Sequence, residues 1–128
     1  MSKEFTTTIE LRFSDLDLYN HVNSVVYFDY METARVRLFR EVFQELTDRG
    51  IFIVVGKAEC EYRLPIPFDD PVAVTVRISR IGTTSFDIDY RIHDQGDRTF
   101  AVARTSMVCF DSVGKRPTAV PERLREMA

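Results

Sequence analysis

Several residue types and patterns are scarce in this chain of 128 residues, and each scarcity removes a class of function. The two cysteines, Cys60 and Cys109, are too few and too far apart for a disulfide framework and read as buried thiols in a reducing compartment. With only His21 and His93 beside them, the chain lacks the ligands for a zinc centre. There is no G-x-S-x-G elbow, and no Ser-His-Asp set can be placed around two separated histidines. Neither a Walker-type nor a Rossmann glycine pattern occurs, which leaves nucleotide-phosphate binding through those loops without support. No apolar run reaches membrane-spanning length, and the opening stretch MSKEFTTTIELRF lacks the apolar centre of a signal peptide. The expected location is the cytoplasm, without membrane association. Basic residues are not in excess either. A formal charge of −3 argues against a general nucleic-acid binder while leaving room for a local basic patch facing a phosphorylated ligand.

What is present suits one soluble domain over residues 1–128: the length supports a core but not a typical two-domain cofactor enzyme, and 45% hydrophobic with 29% charged residues is ordinary for a globular chain. Residues 5 to 13 read as a first strand. From Ser24 the apolar spacing turns helical, with Tyr27, Met31, Ala34, Leu38, Val42 and Leu46 on one side, broadened by Phe28, Phe39 and Phe43. Asp29, Thr33, Arg37, Arg40, Gln44 and Asp48 mark a single solvent stripe. Asn23 suits the N-cap without a capping box, and Gly50 suits the exit.

After Gly50 the period becomes two. Ala58, Cys60, Tyr62 and Leu64 alternate with charged residues, as do Val72 to Ile78 and Phe86 to Ile92 with their polar neighbours, while Thr99 to Phe110 is apolar enough for an inner strand. Prolines 65, 67 and 71, then Gly82 and Gly96, separate these runs and predict antiparallel connections. A short helix is expected from Pro121 to Met127. A helix apolar over most of its circumference needs a partner that wraps it, and an antiparallel sheet curled around one helix meets that need. The expected class is α+β. Such a wrap leaves sheet edges and part of the helix uncovered, which predicts a homodimer or homotetramer.

Chemistry concentrates between Arg12 and Arg35, in RFSDLDLYNHVNSVVYFDYMETAR. Asp15 and Asp17 close the first strand-like run, His21 and Asn23 follow in a polar connection, and the long helix then begins. A helix N-terminus offers unpaired backbone N–H groups and partial positive charge to an anion or developing oxyanion. In an extended segment Asp15 and Asp17 would share a side, as a metal pair would. No further ligand stands at suitable spacing, and no metal or other cofactor is expected.

These residues resemble the hotdog-fold acyl-CoA thioesterases of the 4-hydroxybenzoyl-CoA thioesterase class, in which a strand ends in an Asp-x-Asp-like segment, a loop follows and a Tyr-containing central helix begins. Asp15, Asp17, Tyr27, Glu32 and Arg35 look like that pattern. The run D-L-Y-N-H-V-N from Asp17 to Asn23 is similar to bacterial long-chain acyl-CoA thioesterases. Plant acyl-ACP thioesterases carry a related D-x-N-x-H-V-N-N segment, from which this chain departs at Tyr19 and Ser24. The later R-I-G-T-T-S, Arg80 to Ser85, looks like the family's turn.

The resemblance implies the hotdog fold and hydrolysis of an acyl-CoA thioester, with Asp17 as catalytic carboxylate and the Ser24 backbone N–H beside the carbonyl oxygen. Attack by Asp17 itself and attack by water deprotonated by Asp17 both suit the chemistry. His21 either hydrogen-bonds the thioester or holds the loop. Asn23 is read as substrate contact or helix cap, Tyr27 as packing that also lines the acyl pocket, and Arg80 as a ligand of a CoA phosphate or a surface charge. Thr84 belongs, by resemblance, to a wall supplied by a partner subunit. Glu59 alternates with Lys57 and Glu61 and reads as solvated. Two other functions share these features: a hotdog dehydratase or hydratase on a thioester, and an acyl-CoA-binding protein without turnover.

Overall fold

The helical spacing beyond Asn23 becomes a single 23-residue helix, α1 (Val26–Asp48), in a computed structural model that describes residues 3–128. Tyr27, Met31, Ala34, Val42 and Leu46 are buried on the anticipated side. Tyr30 and Phe39 join them, and Leu38 is only partly covered. The helix leaves through Gly50, whose φ of 80° lies in the left-handed region that glycine enters without a Cβ penalty.

Five principal strands form one antiparallel sheet in the order β1-β3-β4-β5-β2, from β1 (Phe5–Ile9), β2 (Ile51–Tyr62), β3 (Val72–Ile81), β4 (Ser85–His93) and β5 (Thr99–Asp111). A two-residue β6 (Arg116–Pro117) pairs β5, and a short α2 (Glu122–Arg125) lies inside the tail-helix range read from the sequence. Val72, Val74, Val76 and Ile78 of β3, with Phe86, Ile88, Tyr90 and Ile92 of β4, form the buried core face that the two-residue period required. Phe5 meets Phe39 edge-on at 5.7 Å, joining β1 to the helix. The opposite face is polar: Asp89 takes Arg104 at 2.7 Å and Arg77 at 3.5 Å. Near β1 that face buries a hydroxyl–imidazole chain, Thr6 to Thr75 and Thr75 to His93, each at 2.8 Å. His93 is thereby engaged in sheet structure.

Two boundaries differ from the periodicity. Strand β1 stops at Ile9, and Phe13–Asp15 form a 3-10 turn instead of continuing to residue 13. The turn forms because the Asp15 carboxylate captures the backbone N–H and the guanidinium of Arg12, three residues back. Strand β2 starts at Ile51, ahead of the alternation, and its register slips between Val55 and Lys57. Gly56 sits in that irregularity, where an added Cβ would approach Val108 Cγ2 at 3.2 Å. As an edge strand, β2 is poorly covered. Of Ala58, Cys60, Tyr62 and Leu64, all but Cys60 are exposed.

Cys109 is buried, and both thiols are free. Burial pushes the Cys109 thiol up to about 11. No helix among the described residues is long and apolar enough to cross a membrane.

Candidate active site

The loop that carries Asp17 is built largely by its own backbone. Leu16 and Val22 form an isolated antiparallel bridge, the Asp17 N–H donates to the His21 carbonyl at 2.9 Å, and the Asn20 N–H returns to the Asp17 carbonyl at 3.2 Å. Closing so short a loop puts Asn20 at φ 59°, which asparagine tolerates better than most side chains. Asp17 Oδ1 then accepts the N–H groups of Tyr19 at 2.8 Å and His21 at 3.4 Å. This is the Asx-turn geometry natural to aspartate. Its second oxygen, Oδ2, accepts nothing from the described residues. The carboxylate is therefore fixed by one oxygen and chemically available at the other.

Asp15 has a different environment. The 3-10 turn rotates it inward to 1% exposure, so the two aspartates do not share a side as an extended segment would have them. Asp15 Oδ2 accepts the Tyr30 hydroxyl at 2.8 Å and the Arg12 N–H at 3.1 Å, while Oδ1 accepts the Arg12 guanidinium at 3.0 and 3.2 Å. Burial pushes this carboxyl upward, but the Arg12 amide, the Tyr30 hydroxyl and the Arg12 side chain together outweigh it and hold Asp15 below the usual carboxylate range. The same interaction raises the Tyr30 hydroxyl, after burial as the larger cause. The Asp15 carbonyl also accepts the Asn23 N–H at 2.8 Å, which ties the Asp17 loop to the approach of α1. Tyr30 is not among the site residues expected from the sequence. The available signal was a hydroxyl on the buried stripe of a helix, which requires a polar partner. No group of three metal-ligating side chains occurs among the described residues.

The turn into α1 completes the arrangement. Val22 N–H donates to the Ile66 carbonyl at 2.9 Å, and His21 bridges to Pro67, which seats the loop on the segment after β2. Asn23 uses its side chain for the Val25 N–H at 3.2 Å and its carbonyl for the Val26 N–H at 2.9 Å. It thus caps the turn that leads into the helix, while Val25 occupies the formal cap position without a side-chain bond. Between these tied amides the Ser24 N–H has no acceptor among the described residues. The Ser24 carbonyl accepts the Tyr62 hydroxyl at 2.7 Å, and the Tyr62 ring meets Tyr27 edge-on at 4.8 Å. Tyr27 is 3% exposed, and its hydroxyl is pushed up to about 12, chiefly by burial.

A cleft of about 410 Å³ opens here, and Asp17, His21, Asn23, Ser24 and Tyr27 all line it, with Tyr62 to Pro65 along the rim. Arg80 and Thr84 are not among its walls within one chain. Arg80 donates to Asp87 at 2.9 Å and to Ser85 at 3.3 Å, holding the Asp87 carboxyl below its usual range, while the Thr84 carbonyl accepts the Cys109 N–H at 2.9 Å. Glu59 is exposed and lies 3.8 Å from Lys57. Missed in the sequence were Tyr30 and the edge-strand Tyr62.

Comparison with known proteins bears on the family and the fold. The thioesterase-like superfamily matches residues 11–127. The protein YsmA of Bacillus subtilis, described as uncharacterized, is 28% identical over 90 residues, which cover 70% of this chain and 60% of that protein. The long-chain acyl-CoA thioesterase FadM of Escherichia coli is 28% identical over 123 residues, covering 94% of this chain and 93% of FadM. A crystal structure of a thioesterase from Thermus thermophilus, complexed with coenzyme A and Zn, superposes with a TM-score of 0.82 at 33% identity, over 95% of this chain and 94% of that one. With one long helix against one antiparallel sheet and a match over nearly its whole length, the chain is a hotdog protein and belongs to the thioesterase-like superfamily.

Proposed function

We propose that the protein hydrolyses acyl-CoA thioesters, with Asp17 as the reacting carboxylate and the Ser24 N–H as oxyanion donor. The observation that carries this reading is the presence in one cleft of a carboxylate with one oxygen uncommitted and a backbone amide without an acceptor among the described residues. A thioester carbonyl approached by Asp17 Oδ2, or by water that this oxygen deprotonates, gains negative charge on its own oxygen. A fixed N–H beside that charge lowers the barrier without reorganising at the moment of reaction. The thiolate of CoA then departs and takes a proton, and water supplies the oxygen of the free acid. His21, at the mouth of the same cleft with no hydrogen bond from its ring to a described residue, is available to meet the substrate. The choice of acyl-CoA follows the FadM relationship and the coenzyme A complex of the Thermus thermophilus relative.

Residues 1–128 act as one domain on this reading, in the cytoplasm and as a homodimer or homotetramer. The uncovered edge β2, with Phe52, Val54, Val55 and Tyr62 between 44% and 46% exposed, supports assembly. The wall around Thr84, with Arg80 nearby, then comes from the partner subunit. The test is thiol release across a panel of acyl-CoA substrates, comparing the protein with Asp17→Asn. Release that is lost in the variant supports the reading. Equal release, or loss of enoyl absorbance without release, overturns it.

A further inference from the structure

One aromatic side chain on the rim of the cleft is held by more than packing. Tyr62 ends an edge strand and is 45% exposed, yet its hydroxyl is committed at 2.7 Å to the Ser24 carbonyl, across 38 residues of sequence. Each peptide around Ser24 is held from one or both sides. The Asn23–Ser24 peptide is held through its carbonyl by the Val26 N–H at 2.9 Å, while its N–H, that of Ser24, has no acceptor among the described residues. The next peptide, Ser24–Val25, is held at both ends: its N–H by Asn23 Oδ1 at 3.2 Å and its carbonyl by Tyr62. Ser24 itself lies before the start of α1, outside the regular helical ladder, so these contacts decide where its N–H points.

We infer that Tyr62 is a positioning residue, fixing the direction of the Ser24 N–H toward the substrate carbonyl oxygen by clamping the neighbouring peptide. The inference rests on the thioesterase reading above. Tyr62 suits the task because its own ring is located by the buried Tyr27, at 4.8 Å and 76° between ring planes. A sheet residue thus braces the helix start from outside. Burial raises the Tyr62 hydroxyl above its ordinary value, so it remains a donor across the neutral range. An oxyanion donor works through preorganisation, and its contribution falls when the donor can wander even though the group remains present.

The test is Tyr62→Phe, which keeps the ring against Tyr27 and deletes only the hydroxyl. Removing an oxyanion donor outright costs about 10²–10³ in kcat. Freeing one that stays in place should cost roughly tenfold in kcat, with KM within about twofold of wild type. Two CoA ligands add a binding readout. An acyl trifluoromethyl ketone analogue, which forms a tetrahedral adduct, should lose affinity by about the same factor as kcat, whereas an S-alkyl CoA thioether with no carbonyl should bind as before. Tyr62→Leu removes ring and hydroxyl and provides a second chain on which the same kcat loss is expected. Wild-type kcat in either folded variant overturns the inference, as does equal weakening of ketone and thioether, which would make Tyr62 a wall of the pocket only. Asp17→Asn is measured in parallel. If it stays active, the underlying reading fails and takes this inference with it; if it is inactive while Tyr62→Phe turns over normally, the inference fails alone.

Discussion

Tyr30→Phe deletes one hydroxyl from a buried position and should reveal how much of the site's architecture hangs on Asp15. The hydroxyl donates at 2.8 Å to a carboxylate that is 1% exposed, so water cannot replace it without opening the turn. A hydrogen bond to a charged acceptor contributes about 1.5–3 kcal/mol, and deletion of the donor should fall in that range. For a domain of this size about 2 kcal/mol corresponds to a fall in Tm of roughly 6–10 °C. Asp15→Ala should cost more, about 3–5 kcal/mol, because it strands both the Tyr30 hydroxyl and the Arg12 N–H. The contribution also depends on pH, with a definite sign. The folded-state pKa of Asp15 lies below its unfolded value, so its stabilisation is complete above the unfolded pKa, about 3.9, and is lost as pH falls through the lower folded value. Urea unfolding of wild type, Tyr30→Phe and Asp15→Asn at pH 7 and across the acid range measures both effects. A Tyr30→Phe protein within about 0.5 kcal/mol of wild type at pH 7, or an acid limb unchanged in Asp15→Asn, would refute the reasoning.

Three further outcomes follow from the cleft. Asp17→Asn should lower turnover by at least about two to three orders of magnitude while a thioether CoA analogue still binds, as steady-state kinetics and calorimetry on one preparation would show. His21→Ala should lower turnover less than Asp17→Asn does; a rise in KM marks a role in positioning, whereas a lower Tm with normal turnover per folded molecule would remove His21 from the site. If the wall at Thr84 comes from the partner, mixing Asp17→Asn chains with Thr84→Arg chains should restore about one quarter of wild-type activity under random pairing, because half the dimers are mixed and each has one intact site of two. Sedimentation must first show that chains exchange, and no recovery after exchange would count against a shared site.

Sequence patterning carried far in the core and less far at the edges. The buried faces of β3, β4 and α1 follow from simple periods because solvent lies on one side and the core on the other. Phe39, expected at the margin of the apolar side, is fully buried against the Phe5 ring of β1, a contact no local period encodes, while Leu38, expected nearer its centre, is only partly covered. The catalytic candidates were legible as residue types near a helix start, but the separation of Asp15 from Asp17 was not. It depends on the turn that Arg12 and Asp15 make together, and on a helix residue fifteen positions away. Tyr62 looked like the apolar phase of an alternating strand. Its bond to Ser24 arises only when the end of β2 reaches the start of α1.

The divided duty of Asp17 has an evolutionary corollary. Its Oδ1 belongs to the architecture of the loop, and on the proposed mechanism its Oδ2 belongs to the reaction, which would place two separable demands on the position. Asparagine meets the first, since its side-chain oxygen can accept the same N–H groups, and fails the second. One exchange of oxygen for nitrogen should therefore yield a protein that folds, keeps the cleft and retains its ligand. The step from an enzyme that consumes acyl-CoA to a receptor that merely holds it is a single substitution long, and a sister chain with Asn at this position is the first place to look for one that has taken it.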